Sequence, residues 1–196
     1  KVFEFEKKVA NYVGAKYAVA VANGTTALHL TCMVLDLGEG DEVLTSPNTF
    51  VATSNSILYV GAKPVFVDID NQTLNIDIDQ IEQVIIDSSN IKAIFPVHFG
   101  GLPCDMERIK NIADKYNLAV VEDAAHALGA TYSDNSKVGN CQYSDMTIMS
   151  FHPVKGIAAG EGGMITTNDF SLYRKLTLLR SHGITKGNFE FPGISE

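Results

Sequence analysis

The chain has 196 residues, of which 45 % are hydrophobic and 19 % charged, and its 15 basic and 23 acidic residues give a net charge of −8. This balance is typical of a soluble globular protein with one sizeable core, and it excludes a basic nucleic-acid-binding surface. The longest apolar runs are too short to cross a bilayer, and three widely spaced cysteines without a CxxC pair predict a reducing, cytoplasmic location. The chain starts at Lys1, without an initiator Met and inside a predicted helix, so we expect it to be trimmed at this end.

Strand and helix patterns alternate along the chain about six times. In chain order they predict a helix over 3–13, a strand over 17–22, a helix over 27–37, a strand over 42–46, a helix over 50–60, a strand over 64–69, a helix over 78–86, a strand over 91–99, a helix over 105–116, a strand over 118–122, two buried strands over 146–151 and 164–167, and a helix over 170–180. This alternation predicts an α/β fold with a mostly parallel sheet and helices on both faces. Residues 183–196 show no periodicity and are predicted to form a loop.

Three groups of polar residues fall where predicted strands end, which is where such sheets bind ligands. In the first, Asn23-Gly24-Thr25-Thr26 opens the helix after the 17–22 strand. The free N–H groups of a helix start, a glycine and two hydroxyls would suit a phosphate. Simple N-capping by Asn23 or Thr25 is the alternative, and it is the commoner use of such residues.

The second group is Glu122-Asp123-Ala124-Ala125-His126, where a buried strand runs directly into two carboxylates and then an imidazole. A carboxylate here could bind a metal, cap the next segment or pair with a protonated ring nitrogen. The metal interpretation is weak because the chain lacks the Gly-Lys-Ser/Thr of a P-loop. The third group is Thr49-Phe50, whose aromatic ring could belong to the core or could stack on a planar cofactor.

Lys155 lies in a glycine-rich bend, 150–163, between two apolar runs. It could be an ordinary surface lysine on a turn. Taken with the three groups above, however, it completes the requirements of pyridoxal 5'-phosphate (PLP): an amine, an acid beside the ring nitrogen, a phosphate cup and an aromatic lid. We assign these to Lys155, to Asp123, to Gly24 with its neighbours, and to Phe50. A lysine beside a cationic ring is expected to have a lowered pKa, and Ser150 is expected to add a hydroxyl to the phosphate cup.

Four segments, 23–28, 47–53, 122–129 and 150–155, together resemble the DegT-type nucleotide-sugar aminotransferases, which are fold-type I, aspartate-aminotransferase-like PLP enzymes. The resemblance implies that Lys155 is the Schiff-base lysine and Asp123 the partner of the pyridine nitrogen. It also implies that His126 lies near the phenolic oxygen of the cofactor and that Phe50 stacks on its ring. Thr25, Thr26 and Ser150 would then hold the phosphate.

Residues 151–155 and 179–184 most resemble the altrosamine transaminase branch of pseudaminic acid biosynthesis. That branch implies transfer of the amino group of L-glutamate to C4 of a UDP-linked 4-keto-6-deoxy amino sugar, with Lys155 as acid and base in both half-reactions. Members are about twice as long as this chain, so 1–182 would be the PLP-binding large domain and 183–196 a loop leading to an absent small domain. The family also implies a homodimer with shared active sites.

Three alternatives compete with this interpretation. An NAD-dependent oxidoreductase would need a Gly-x-Gly-x-x-Gly after the first strand, and Asn23-Gly24-Thr25-Thr26 has one glycine. A PLP-dependent sugar dehydratase of the same family would carry histidine in place of Lys155. A truncated, non-catalytic regulatory member would bind PLP without transferring an amino group.

Overall fold

The computed structural model describes residues 1–184, and the predicted loop over 183–196 lies outside the described residues from position 185 onward. The elements are α1 (Val2–Val13), β1 (Tyr17–Val21), α2 (Gly24–Val34), β2 (Glu42–Thr45), α3 (Ala52–Tyr59), β3 (Lys63–Phe66), α4 (Ile78–Asp87), β4 (Ile91–Phe95), α5 (Met106–Tyr116), β5 (Ala119–Asp123), β6 (Met146–Ser150), β7 (Gly163–Thr167) and α6 (Phe170–Arg180). A 3₁₀ turn, Phe99–Gly101, lies between β4 and α5. None of the helices in this part of the chain is both long and apolar enough to cross a membrane.

The seven strands form one sheet in the order β1-β7-β6-β5-β4-β2-β3. The pairs β2–β3, β2–β4, β4–β5 and β5–β6 are parallel, whereas β7 is antiparallel to both β1 and β6. Since β1 and β6 both oppose β7, they run in the same direction, and their carboxyl ends meet at the same edge of the sheet. The predicted mostly parallel α/β fold is confirmed.

Both faces of the sheet are covered, as alternation along β5 shows. Val121 packs into a cluster that also contains residues of α2 and α6, while its neighbour Val120 packs into a second cluster with residues of α4 and α5. A third cluster joins α1 to β1, β6 and β7. Because successive strand residues point to opposite faces, a strand covered on both sides must be a continuous apolar run. This is why the apolar runs predicted the strands well.

The ends of several elements differ from the sequence prediction for local reasons. The strand predicted over 91–99 ends at Phe95, because the next residue, Pro96, has no N–H for the ladder. The helix predicted over 27–37 begins at Gly24, because the side chain of Asn23 accepts from the N–H of Thr26 at 2.8 Å and caps the helix there, and it ends at Val34.

Candidate active site

A cavity of about 190 Å³ opens at the edge of the sheet where the carboxyl ends of β1, β5 and β6 meet the loop that follows β2. Six residues singled out from the sequence line it: Gly24, Thr25, Phe50, Asp123, Ser150 and Lys155. Apolar side chains, among them Leu28 and Ile148, form part of its wall. The four separate loops that the sequence analysis selected therefore converge on one site.

The start of α2 forms one wall. Asn23 Oδ1 accepts from the backbone N–H of Thr26 at 2.8 Å and from its hydroxyl at 2.9 Å. Asn23 therefore caps the helix, as the alternative interpretation predicted, and the hydroxyl of Thr26 is bonded to this cap. The first N–H groups of a helix have no intrahelical partner, which leaves those of Gly24 and Thr25 beside the cavity. Thr25 lines the cavity, whereas Thr26 is not among the lining residues.

Two glycines allow this wall to approach its neighbours. A Cβ on Gly24 would stand 3.1 Å from Cβ of Ser150, and a Cβ on Gly163 would stand only 2.4 Å from the backbone oxygen of Asn23. A side chain at either position would push the helix start away from the strand ends. Ser150 itself is buried at the end of β6, and its Oγ accepts from the N–H of His152 at 3.4 Å.

Asp123 is the last residue of β5, and its carboxylate is almost fully buried. Thr53 Oγ1 donates to Oδ2 at 2.6 Å, and the backbone N–H of Ala125 donates to Oδ1 at 3.1 Å. The orientation of this carboxylate is therefore set from both sides. Sequence reasoning gave Thr53 no role, although it lies in a segment that carried the family resemblance.

Lys155 lies in the 151–162 loop between β6 and β7. Its Nζ is 2.6 Å from Nε2 of His126, which does not itself line the cavity. When the amine of Lys155 is charged it can only donate, and Nε2 of the imidazole then accepts the hydrogen bond. The structure thus brings His126 to the reactive amine.

The pKa of Lys155 is lowered from its ordinary value by burial, and the nearby charge of Asp123 opposes this in part. The direction matches the sequence expectation, but its cause here is burial rather than a cationic ring. Burial also lowers the pKa of His126, the charge of Lys155 lowers it further, and Asp123 again opposes the shift. Both groups are therefore biased toward their neutral forms, which suits an amine that must act as a nucleophile.

Phe50 follows β2 and is 73 % exposed, with its ring beside the cavity. It does not belong to the core, so the first of the two interpretations of this aromatic is wrong. An exposed phenyl ring next to a cavity can stack on a planar group that enters it.

A second polar cluster lies directly behind the cavity and was missed by sequence reasoning. Glu122, whose side chain points to the opposite side of β5 from Asp123, is fully buried and bonds to His98 at 2.8 Å and to Tyr132 at 2.6 Å. The sequence signal for it was weak: two consecutive carboxylates at a strand end, only one of which can face the ligand edge.

The donors of the site match the chemistry of PLP. An amine (Lys155), a carboxylate (Asp123) and a helix start with an adjacent hydroxyl (Ser150) surround one cavity, and glycine makes the close approach at the helix start possible. These are the groups that an aldehyde, a pyridine nitrogen and a phosphate require.

Comparison with known proteins agrees with this chemistry. The sequence model of the DegT/DnrJ/EryC1/StrS aminotransferase family matches residues 1–192. The chain is 46 % identical over 185 residues to GDP-perosamine synthase of Caulobacter vibrioides, covering 93 % of this chain and 48 % of that protein. It is also 46 % identical over 187 residues to UDP-4-amino-4,6-dideoxy-N-acetyl-beta-L-altrosamine transaminase of Campylobacter jejuni, covering 95 % of this chain and 48 % of that protein.

Among solved structures, NtdA of Bacillus subtilis with bound cofactor PMP, the amine form of PLP, superposes with a TM-score of 0.83 at 37 % identity. The match covers 90 % of this chain and 39 % of that one. The chain spans about half the length of the curated relatives it matches.

Proposed function

The chain belongs to the DegT/DnrJ/EryC1/StrS aminotransferase family, whose members use PLP, and on that premise we propose that it carries the cofactor-binding half of a nucleotide-sugar aminotransferase. The observation that carries the proposal is the presence of Lys155 and Asp123 on one cavity, from different loops, with a helix start and Phe50 beside them. Residues 1–182 would form the large domain, and the chain beyond them would lead to a small domain. We also propose a cytoplasmic homodimer with shared active sites.

Each residue near the cavity has a proposed part in holding the cofactor. Lys155 would bind the aldehyde through its amine, and Asp123 would accept from the protonated ring nitrogen. The N–H groups of Gly24 and Thr25 and the hydroxyl of Ser150 would hold the phosphate, a task in which we also include Thr26. The ring of Phe50 would stack on the cofactor, and His126 would lie near its phenolic oxygen.

When bound, PLP supplies an electron sink that stabilises negative charge on a carbon next to nitrogen. The protein's own task is to move protons. Lys155 would take the Cα proton of L-glutamate at Nζ and later deliver a proton to C4 of the sugar. In the complete reaction, L-glutamate gives up its amino group and its Cα hydrogen, and C4 of the keto sugar takes both. The keto oxygen of the sugar is released as water, and a water molecule supplies the keto oxygen of the 2-oxoglutarate that leaves.

We propose a UDP-linked 4-keto-6-deoxy amino sugar as the acceptor. The altrosamine transaminase of Campylobacter jejuni, whose name specifies UDP, supports this choice. GDP-perosamine synthase, whose name specifies GDP, has the same 46 % identity to this chain. The test offers UDP-linked and GDP-linked 4-keto sugars in parallel: we expect amination of the UDP-linked sugar, and faster amination of the GDP-linked one would refute this choice.

The test is an absorbance titration of the protein, as its gene encodes it, with PLP and then with L-glutamate. We expect a visible band on loading, its loss on adding glutamate, and formation of 2-oxoglutarate in equal amount. Lys155→Ala should not form the visible band. A Lys155→Ala spectrum identical to wild type would refute the role of this amine, and a band that glutamate leaves unchanged would favour a non-catalytic PLP-binding protein.

A further inference from the structure

Asp123 is held by a chain of two threonine hydroxyls. Thr53 Oγ1 lies 2.6 Å from Asp123 Oδ2, and Thr49 Oγ1 lies 2.7 Å from Thr53 Oγ1. The bond to the carboxylate is short for a hydroxyl donor, as expected when the acceptor is charged. Neither threonine is required by the sequence pattern of a phosphate cup or a reactive lysine.

The number of available protons sets the direction of these hydrogen bonds. Thr53 has one hydroxyl proton and three oxygens within reach: Asp123 Oδ2, Thr49 Oγ1 and the carbonyl of Phe50 at 3.3 Å. An ionised carboxylate can only accept and is the nearest of the three, so the proton of Thr53 goes to Asp123. The hydroxyl of Thr49 has two acceptors within reach, Thr53 Oγ1 at 2.7 Å and the carbonyl of Phe50 at 3.2 Å. Because Thr53 has already given its own proton to Asp123, it can accept from Thr49 over the shorter distance, and hydrogen bonds joined in this way strengthen one another.

Thr53, which bonds directly to Asp123, is itself held rigidly in place. Thr53 is fully buried in the first turn of α3, its N–H donates to the carbonyl of Phe50 at 3.2 Å, and its own carbonyl accepts from Ser56 Oγ at 2.8 Å. Thr49 and Phe50 are neighbours on the turn before α3. The turn that presents the ring of Phe50 to the cavity is thus tied, through Thr53, to the carboxylate of Asp123, which also lines the cavity.

We propose that Thr53, supported by Thr49, is the positioning residue for Asp123: the hydroxyl pair fixes the carboxylate in the orientation that meets the ring nitrogen of PLP. This inference rests on the proposed function, since it needs PLP in the cavity. Ala125 holds Oδ1 and Thr53 holds Oδ2, so each oxygen keeps a lone pair for the ligand while rotation of the carboxylate is blocked.

Thr53→Val tests this directly because it keeps the shape and removes the hydroxyl. A hydrogen bond to a charged group contributes about 1.5–3 kcal/mol, so the dissociation constant for PLP should rise about 10- to 100-fold. Thr53→Ser should restore it. Thr49→Val, on the more exposed turn, removes a neutral bond and should cost about 2- to 10-fold. The matched control is Thr31→Val, a fully buried threonine whose hydroxyl bonds to the Leu28 carbonyl in α2.

A second readout separates positioning from general packing. The ¹⁵N resonance of PLP labelled at its ring nitrogen reports the hydrogen bond at that atom. It should move toward the value of unprotonated pyridine in Thr53→Val, return in Thr53→Ser, and stay unchanged in Thr31→Val. Unchanged affinity and resonance in both valine variants at 53 and 49 would overturn the proposal, as would a Thr53→Ser that behaves like Thr53→Val. If the wild type itself takes up no PLP, the proposed function fails, which is a separate result.

Discussion

Replacing Glu122 by glutamine should destabilise the protein strongly, because the buried carboxylate accepts four hydrogen bonds. Oε2 accepts from His98 at 2.8 Å and from Tyr132 at 2.6 Å, and Oε1 accepts from Ser144 at 2.5 Å and from Thr147 at 2.9 Å. Burial by itself raises the pKa of Glu122, but the hydrogen bonds donated by His98, Ser144 and Tyr132 outweigh it and hold the pKa below its ordinary value of 4.5. The side chain is therefore ionised at neutral pH.

The magnitude follows from what glutamine would change. It keeps the shape, but its NH₂ group donates where the carboxylate accepted. The hydroxyls of Ser144 and Thr147 can turn to accept from it, whereas the ring N–H of His98 must still find an acceptor. Its Nδ1 already accepts from the N–H of Cys104, so Nε2 carries the ring proton. Each charge-assisted bond that becomes neutral loses about 1 kcal/mol, so Glu122→Gln should lose about 3–4 kcal/mol of unfolding free energy.

Urea unfolding followed by circular dichroism measures this loss as a lower midpoint at an unchanged slope. The control is Glu39→Gln, the same change at an exposed residue, which should stay within about 0.5 kcal/mol of wild type. A loss below about 1 kcal/mol in Glu122→Gln would refute the reasoning. Since the folded pKa lies below the unfolded value, the stabilisation is complete above pH 4.5 and is lost as the pH falls through the folded pKa. Wild type should therefore lose stability more steeply than Glu122→Gln in acid.

Two further predictions concern the cavity. Gly163→Ala would place a Cβ 2.4 Å from the backbone oxygen of Asn23, so PLP affinity should fall at least tenfold in a fluorescence titration. Gly38→Ala, whose Cβ would meet nothing nearer than 3.9 Å, should bind like wild type, and equal affinity in both variants would contradict the close-approach argument. Because burial lowers the pKa of Lys155 against the opposing charge of Asp123, the rate of PLP uptake should rise with pH and level off with a midpoint below 10.5. Stopped-flow absorbance measures this midpoint, and a value at or above 10.5 would show that the amine is not perturbed.

Much of the fold could be predicted from local patterns, since a buried strand leaves a continuous apolar run in the sequence. The strand predicted over 118–122 is found at Ala119–Asp123, and the helix predicted over 105–116 at Met106–Tyr116. The order of the strands could not be predicted in this way. Tyr17 pairs with Thr167 across 150 positions, and no local pattern encodes a partner so distant. The antiparallel pairing of β7 with β1 is therefore a finding of the structure.

The residues of the candidate site, like the fold, could be predicted from the sequence only in part. Residues at strand ends could be selected because the carboxyl edge of a parallel sheet is a known ligand edge, and Asp123 and Lys155 do reach one cavity. The groups that hold them in place could not be selected. Thr53 lies 70 positions before Asp123, and His98 lies 24 before Glu122, so only the folded chain brings each pair together.

Two adjacent residues at the end of β5 have different roles: Glu122 stabilises the fold, and Asp123 lines the cavity. Alternation along the strand sends Glu122 into the polar cluster behind the sheet and Asp123 into the cavity. Both backbone groups of Asp123 bond to the segment that follows β4, since its N–H donates to the carbonyl of Pro96 at 2.9 Å and its carbonyl accepts from the N–H of His98 at 3.1 Å. The ring of His98 in turn bonds to Glu122. A change that moves this backbone alters both carboxylates at once. The two roles can be separated only by substitutions such as Glu122→Gln and Thr53→Val, which change the side-chain hydrogen bonds of one carboxylate and leave the peptide units in place.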